Sequence, residues 1–201
     1  MRTLRLLKPD AWRAAPPPHP HPLRVWLTGR DSLTASLKSA IANFNLIRLK
    51  QTLQYPNVDE RRELGLRSRS LAVVREVLLQ DGDKVLVFAH SVVASNDLRG
   101  VWRGLSRLGT RPLAEMLFSD PRVVRLPIEY RQLDRRHPLY RRAQQVATVT
   151  ENALWARRSV FLKRGRPLLV TELFLSKVVG GAPDRNAPSF RRTLEPNPPY
   201  L

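Results

Sequence analysis

Two charged residues of this chain lie in stretches that otherwise have the pattern of buried β-strands. Glu172 lies in residues 167–175, and Arg75 lies in residues 71–79. Period-two alternation places Glu172 on a face with Leu168, Val170 and Phe174, and Arg75 on a face with Leu71, Val73, Val77 and Leu79. A buried charge needs a partner, a shifted pKa or a bound ligand, because burying it alone is costly. An acid and an arginine in such settings predict a pocket for a small anion.

A simpler interpretation is that both charges are structural. Arg75 and Glu172 could form a cross-strand ion pair, or Arg75 could be matched by its neighbour Glu76 through the sheet. Alternation alone does not separate these alternatives from the anion pocket.

Composition limits the class of protein. With 201 residues, of which 42% are hydrophobic, the chain can build one substantial core. No segment approaches the roughly 20 apolar residues that cross a bilayer, and the N-terminus lacks the apolar run of an export signal. We therefore expect a cytoplasmic protein without integral membrane contact. Zero cysteines and only four histidines predict neither a disulfide nor a metal site.

The formal net charge of +18 would attract polyanions. The cations are spread along the chain, and no basic helix or helix-turn-helix pattern organises them. We interpret them as a solvated arginine-rich surface and expect no specific nucleic-acid site. Such a surface would still help to capture a small dianion.

Two hairpins are the clearest elements of the sequence. Residues 71–79 and 84–94 flank an Asp-Gly turn, and residues 153–163 and 167–175 flank Gly165. Further strands are expected at residues 46–53 and 122–132. An antiparallel sheet of about six strands in an α+β domain is therefore predicted.

Helical periodicity follows Asp31 and Ser32, either of which can cap a helix, with apolar residues at Leu33, Leu37, Ile41 and Phe44. Residues 97–108 show the same periodicity and end at Gly109, and Thr110 can cap a short second helix, which together predict a helical hairpin. Residues 133–150 have no clear pattern.

The chain is expected to form one domain over residues 23–177. Residues 1–22 and 178–201 are proline-rich tails that we expect to be disordered or to lie on the surface.

Several segments together resemble the chorismate pyruvate-lyases, the enzymes that begin ubiquinone biosynthesis. The resemblance covers most of residues 24–177. It is carried by the order and spacing of WLTGRDSLT at 26–34, REVLL at 75–79, GTRPL at 109–113, LWARRS at 154–159 and GRPLLVTELFL at 165–175. The two residues found from alternation, Arg75 and Glu172, coincide with the family's active-site arginine and glutamate.

The resemblance implies a fold and an activity. Members of this family convert chorismate to 4-hydroxybenzoate and pyruvate without a metal or organic cofactor, in a buried pocket that helical flaps close over an antiparallel sheet. By matching position, Arg75 would bind the ring carboxylate and Glu172 would meet the ring hydroxyl. Backbone groups of Leu33 and Leu113 would complete the carboxylate site. The expected partners are therefore chorismate and 4-hydroxybenzoate, and we expect a monomer.

The implied chemistry suits these residues. Chorismate is a dianion, and a guanidinium offers a planar, permanently charged fork for a carboxylate. Loss of enolpyruvate together with a ring hydrogen makes the ring aromatic, so orientation and electrostatics could suffice. Whether Glu172 is a general base or only a hydrogen-bond partner stays open, as does an internal hydrogen transfer within the substrate.

One departure from the family lies at His90, where relatives carry an arginine. We interpret His90 as a structural histidine. A lyase that makes a different hydroxybenzoate stays open, and so does a non-catalytic sensor of small aromatic acids. The same fold recurs as the effector-binding half of some bacterial transcription regulators, so fold does not decide function.

Overall fold

The computed structural model describes residues 11–19 and 21–176, which form an α+β fold on one antiparallel sheet. Its strands are β1 (Phe44–Gln54), β2 (Ala72–Asp81), β3 (Lys84–Ala94), β4 (Val123–Arg125), β5 (Glu129–Asp134), β6 (Ala153–Lys163) and β7 (Arg166–Phe174). The strand order is β1-β2-β3-β7-β6-β4, and β5 also pairs with β6. The predicted fold class is confirmed. The described sheet has seven strands because residues 122–132, predicted as one strand, form both β4 and β5.

Helices cover both faces of the sheet. They are α1 (Arg24–Thr28), α2 (Leu33–Ala40), α3 (Val58–Glu63), α4 (Ser95–Arg99), a 3₁₀ helix (Arg103–Arg107), α5 (Leu113–Ser119) and α6 (Pro138–Val146). Apolar residues of α1, α2, the 3₁₀ helix and α5 pack on one face, and those of α6 pack on the other together with Leu64, which follows α3. The sheet is thus buried on both sides over most of its area.

Both predicted hairpins are confirmed. β2 pairs with β3, and β6 pairs with β7, in antiparallel register. Gly82 and Gly165 take positive φ angles of 54° and 71° in the two turns, a conformation that glycine adopts without steric cost. The turns therefore fix the register that aligns the side chains of the four central strands.

The helix predicted after Ser32 is α2. The Ser32 hydroxyl accepts a hydrogen bond from the Ala35 amide at 3.1 Å and so caps the first turn. The helix ends at Ala40 and the backbone is extended at Ile41, so Phe44, which was placed on the helix, begins β1 instead.

The helical hairpin predicted from residue 97 is more irregular than expected. Instead of one helix up to Gly109, the chain forms α4 and then the 3₁₀ helix, with Gly100 non-helical between them. The intervening Trp102 is buried, and its indole donates to the Arg166 carbonyl at 3.1 Å. The apolar spacing of residues 97–108 would continue as one helix, but the helix is interrupted where Trp102 packs against the sheet.

α6 lies in residues 133–150, for which no element was predicted. The His137 side chain accepts a hydrogen bond from the Leu139 amide, and Pro138 is the first helical residue. The helix buries Leu139, Tyr140 and Ala143 against the sheet.

Part of the N-terminal segment contacts the domain. The Trp12 indole donates to Asp59 at 3.2 Å, and Arg13 forms a β-bridge with Tyr130. The expectation for residues 178–201 lies outside the described residues, as does that for residues 1–10. Among the described residues, no helix is long and apolar enough to cross a membrane.

Candidate active site

A pocket of about 570 Å³, counted with the open space at its mouth, lies between the sheet and the helices α2 and α5. All four residues that the sequence singled out line it: Leu33, Arg75, Leu113 and Glu172. The central strands form its floor, so the charged side chains are held by hydrogen-bonded backbone, whereas α2 and α5 close over them from the other side.

Arg75 is a buried cation, and some of its N–H groups donate to no described residue. Its residue is 2% exposed, and its Nη2 donates to the carbonyls of Gly109 and Arg111 at 3.3 and 3.0 Å. Its buried Nε has no hydrogen-bond partner, and no carboxylate among the described residues lies within ion-pairing distance. Burial, and then the charge of Arg48, lower the pKa of Arg75 to about 10, so the group stays protonated at neutral pH. Such a group attracts an anion.

Neither of the ion pairs considered for Arg75 is present. Glu172 is on β7 and Arg75 is on β2, and β3 lies between these strands. Glu76 pairs with Lys50, His90 and Arg142, and it follows Arg75 directly on the strand, so the two side chains point to opposite faces. The two ion pairs that would have made Arg75 a structural charge are therefore not formed, and its role in binding an anion stays a prediction.

Glu172 has a different partner, Arg157. The two residues face each other across β6 and β7, and Arg157 Nε donates to Glu172 Oε2 at 2.5 Å. Arg157 Nη1 donates in turn to the carbonyls of Trp26 and Gly29, both at 2.8 Å. This arrangement fixes one carboxylate oxygen of Glu172. Its other oxygen, Oε1, accepts no hydrogen bond from the described residues, and Glu172 lines the pocket.

Leu33 and Leu113 are the first residues of α2 and α5. Backbone N–H groups in the first turn of a helix have no acceptor within that helix. Both leucine side chains are buried in the two apolar clusters that attach these helices to the sheet. Both residues line the pocket, so the packing of each leucine fixes the start of its helix beside the pocket.

Sequence reasoning assigned no role to two further arginines that line the pocket, Arg125 and Arg157. Arg125 Nε donates to Ser159 Oγ at 3.0 Å, and its guanidinium lies over the rings of Phe118 and Phe161 at 5.8 and 5.4 Å. Alternation could have indicated Arg157, because it lies in an apolar strand as Arg75 does. Nothing in the short β4 marks Arg125, whose position depends on how β4 pairs with β6.

His90 lies on the opposite face of the sheet from the pocket. Its Nε2 is 3.1 Å from Glu60 and its Nδ1 is 3.3 Å from Glu76. Burial by itself lowers the pKa of His90, but the nearby charges of Glu60 and Glu76 outweigh burial and raise it to about 9. These contacts agree with the interpretation of His90 as a structural histidine. The difference from the family at this position lies away from the pocket.

Among the described residues, the pocket lining combines three guanidinium groups with two carboxylates, Asp31 and Glu172. Within residues 11–19 and 21–176, no group of three or more His, Cys, Asp or Glu side chains could hold a metal ion. The arrangement fits a small molecule that carries negative charge together with a hydroxyl group. It can orient such a molecule and stabilise negative charge that develops on it.

The sequence matches the family described as chorismate lyase over residues 10–180. A relative from Thiobacillus denitrificans, named probable chorismate pyruvate-lyase, is 51% identical over 156 residues, which cover 78% of this chain and 83% of that protein. A relative of the same name from Aromatoleum aromaticum is 45% identical over 174 residues, which cover 85% of this chain and 94% of that protein.

Solved structures of similar fold include domains of transcription regulators. The PhnF C-terminal domain matches with a TM-score of 0.53 and 12% identity, over 70% of this chain and 86% of that one. A GntR-family regulator from Bacillus cereus matches with a TM-score of 0.51 and 11% identity, over 68% of this chain and 94% of that one. At such identities the likeness shows the fold alone.

Proposed function

The chain belongs to the chorismate lyase family, and we propose that it converts chorismate to 4-hydroxybenzoate and pyruvate in the pocket beneath α2 and α5. The observation that carries this proposal is the buried Arg75, which faces the pocket without a carboxylate partner among the described residues. A cation kept in this state is suited to an anion that arrives from solution.

Arg75 binds the ring carboxylate. Its Nε and Nη1 donate to no described residue and are available to a ligand, while the bonds of Nη2 to the Gly109 and Arg111 carbonyls fix the orientation of the guanidinium. The amides of Leu33 and Leu113 supply two further donors at the starts of α2 and α5. Substrate binding therefore connects both helices to the sheet and excludes water from the ring.

Glu172 acts at the opposite end of the ring. Its Oε1 accepts the hydrogen bond of the C4 hydroxyl, while Arg157 holds Oε2 in place. In the reaction the ether bond at C3 breaks, the hydrogen at C4 is lost, and the ring becomes aromatic. The released enolpyruvate gains a proton on its methylene carbon and becomes pyruvate. The C4 hydrogen goes either to Glu172 as a general base or directly to the departing side chain.

The finer assignments follow from the family. We propose that the product enters ubiquinone biosynthesis and that the enzyme works in the cytoplasm as a monomer. No metal or organic cofactor enters the proposed reaction.

The proposal is tested by incubating the purified protein with chorismate in buffer that contains a chelator, and by separating the products chromatographically. We expect equal amounts of 4-hydroxybenzoate and pyruvate. Glu172→Gln keeps an acceptor for Arg157 but removes the carboxylate, and it should lower kcat by at least about a hundredfold. Arg75→Met should lower kcat/KM to a similar extent, because a buried charge contact is lost.

Arg99→Gln is a matched control, since Arg99 is an exposed residue of α4 that does not line the pocket. It should retain full activity. If the wild-type protein bound 4-hydroxybenzoate saturably but released no pyruvate, the lyase proposal would be wrong and the protein would be a sensor of aromatic acids. If the protein released a different isomer of hydroxybenzoate, the proposed product would be wrong.

A further inference from the structure

We propose that Arg125 binds the second carboxylate of chorismate, the one that belongs to the enolpyruvyl side chain and leaves with pyruvate. This inference rests on the proposed function, because it assigns a further contact in the same pocket. It is carried by the place of Arg125 at the end of the pocket floor opposite Arg75, and by the donors that Arg125 leaves unused.

The shape of the substrate requires such a contact. Chorismate carries one carboxylate on C1, the hydroxyl on C4 and the enolpyruvyl ether on C3. C1 and C4 are opposite corners of the ring, and C3 is next to C4. With the C1 carboxylate at Arg75 and the hydroxyl at Glu172, the side chain extends from the half of the ring that is distant from Arg75. Its charge then needs a separate partner.

The sheet register shows which residues lie at that end. Arg75 pairs with Ser91 on β3, and Ser91 pairs with Val170 on β7. Val170 pairs in turn with Ser159 on β6. Neighbouring strands are about 4.8 Å apart, so the backbones of Arg75 and Ser159 are separated by about 14 Å. Glu172 lies on β7, between these two ends and two residues along from Val170.

Arg125 reaches this end of the floor from β4. Its Nε donates to Ser159 Oγ at 3.0 Å, and its Nη1 donates to the Arg30 carbonyl at 2.7 Å. Its Nη2 makes no hydrogen bond to a described residue, and the side chain lines the pocket. Burial, and then the charge of Arg157, lower the pKa of Arg125 to about 10, so it remains a cation at neutral pH. An incoming carboxylate therefore finds a fixed and charged donor.

Arg157 is less suited to this role. Its Nε is engaged by Glu172, and its Nη1 is shared among the carbonyls of Trp26, Leu27 and Gly29. Recruiting it for a second carboxylate would disturb the group that holds Glu172. Asp31 lies in the pocket wall but forms no ion pair with Arg125 within the described part of the chain.

Arg125 could instead be only a structural clamp, because it also binds the Arg30 carbonyl and stacks on Phe118 of α5. The two roles differ in what they do to substrate and product. The product 4-hydroxybenzoate lacks the enolpyruvyl carboxylate. A clamp supports both ligands equally, whereas a receptor for the side-chain carboxylate acts on chorismate alone.

The test compares the KM for chorismate with the inhibition constant of 4-hydroxybenzoate in wild type, Arg125→Gln and Arg99→Gln. For Arg125→Gln we expect KM to rise about tenfold to a hundredfold, with the inhibition constant of the product within about twofold of wild type. Arg99→Gln should change neither constant. Arg75→Met, by contrast, should weaken both ligands, because both carry the ring carboxylate.

Equal shifts of the two constants in Arg125→Gln, or no shift in either, would overturn the assignment. If this variant does not fold, Arg125→Lys answers the same question, because it keeps the charge and loses the planar fork. A rise in KM without a change in product inhibition supports the proposal, and parallel changes contradict it. Absence of turnover in the wild type would contradict the proposed function itself and is thus distinct from a failure of the Arg125 assignment.

Discussion

The two faces of the central sheet both bury charge, but they do so in different ways. On the pocket face, Arg75 has unused donors and no carboxylate partner among the described residues. On the opposite face, Glu76 lies within 3.3 Å of Lys50 and of His90, and Arg142 donates to it at 2.8 Å. The two residues are neighbours in the sequence, yet within residues 11–19 and 21–176 Arg75 lacks a partner of opposite charge and Glu76 has three.

This difference separates a binding site from a structural network. A buried ion that is fully paired stabilises one arrangement of the chain and has little left to offer a ligand. A buried ion without a partner raises the free energy of the empty protein, and a ligand of opposite charge removes that penalty. Three stability measurements test whether the two faces differ in this way.

The largest effect is expected for Glu76→Gln. The substitution leaves His90, Lys50 and Arg142 near a neutral side chain, and Glu60 remains as the carboxylate beside His90. Breaking such a buried network should lower the free energy of unfolding by about 3 kcal/mol, as measured by urea denaturation at pH 7.

Glu115→Gln is the control for this change, because Glu115 is an exposed residue of α5. It should stay within about 0.5 kcal/mol of wild type. If Glu76→Gln lowers the free energy of unfolding no more than the control does, the ion pairs of Glu76 contribute nothing measurable to stability. The contrast between the two faces would then be wrong.

A smaller effect is expected from the titration of His90. The charges of Glu60 and Glu76 outweigh burial and raise the folded-state pKa of His90 to about 9, above its ordinary value of 6.5. The stabilisation is therefore fully present below pH 6.5 and is lost as the pH rises through about 9. The free energy of unfolding should fall by on the order of 2 kcal/mol across this window.

The variant His90→Gln isolates this contribution, since it cannot gain or lose a proton there. Its stability should be lower at pH 6 and should change less between pH 6 and 9 than that of wild type. Parallel pH profiles of the two proteins would mean that the pKa of His90 is the same in the folded and the unfolded state, which would contradict the raised pKa.

The smallest effect is expected for Arg75→Met, although its effect on activity is large. The substitution removes two hydrogen bonds to the Gly109 and Arg111 carbonyls, but it also removes a desolvated charge. These contributions oppose each other, so the free energy of unfolding should change by no more than about 1 kcal/mol. A loss of 3 kcal/mol, measured under the same urea conditions, would identify Arg75 as a structural ion instead.

Much of the site was accessible from the sequence because strand alternation is a local property. It placed Arg75 and Glu172 on apolar faces, and the two turns with Gly82 and Gly165 indicated which strands are neighbours. The resemblance to a family then supplied Leu33 and Leu113 as site residues, whereas helical periodicity marks Leu33 only as an apolar position. Their proposed contribution comes from the backbone, and backbone groups leave no mark in the side-chain pattern.

Other parts depend on contacts between distant segments. The Arg157 side chain joins the end of α1 to Glu172, across more than a hundred residues of sequence, and Arg125 acquires its place only through the pairing of β4 with β6. The helix α6 has a strongly polar sequence and depends on its contact with the sheet. Such elements gain their stability from tertiary packing, which local propensity does not predict.

Two charges of opposite sign among apolar strand residues could be recognised from the sequence, because alternation fixes the face on which a side chain lies. Alternation did not determine which of them would be paired. The folded chain shows that Glu172 pairs with Arg157 and that Glu76 pairs on the far face. It also shows that Arg75 has donors in the pocket that no described residue uses. Whether a buried charge is paired depends on the side chains around it in three dimensions. Those side chains come from strands and helices that are far apart in the chain.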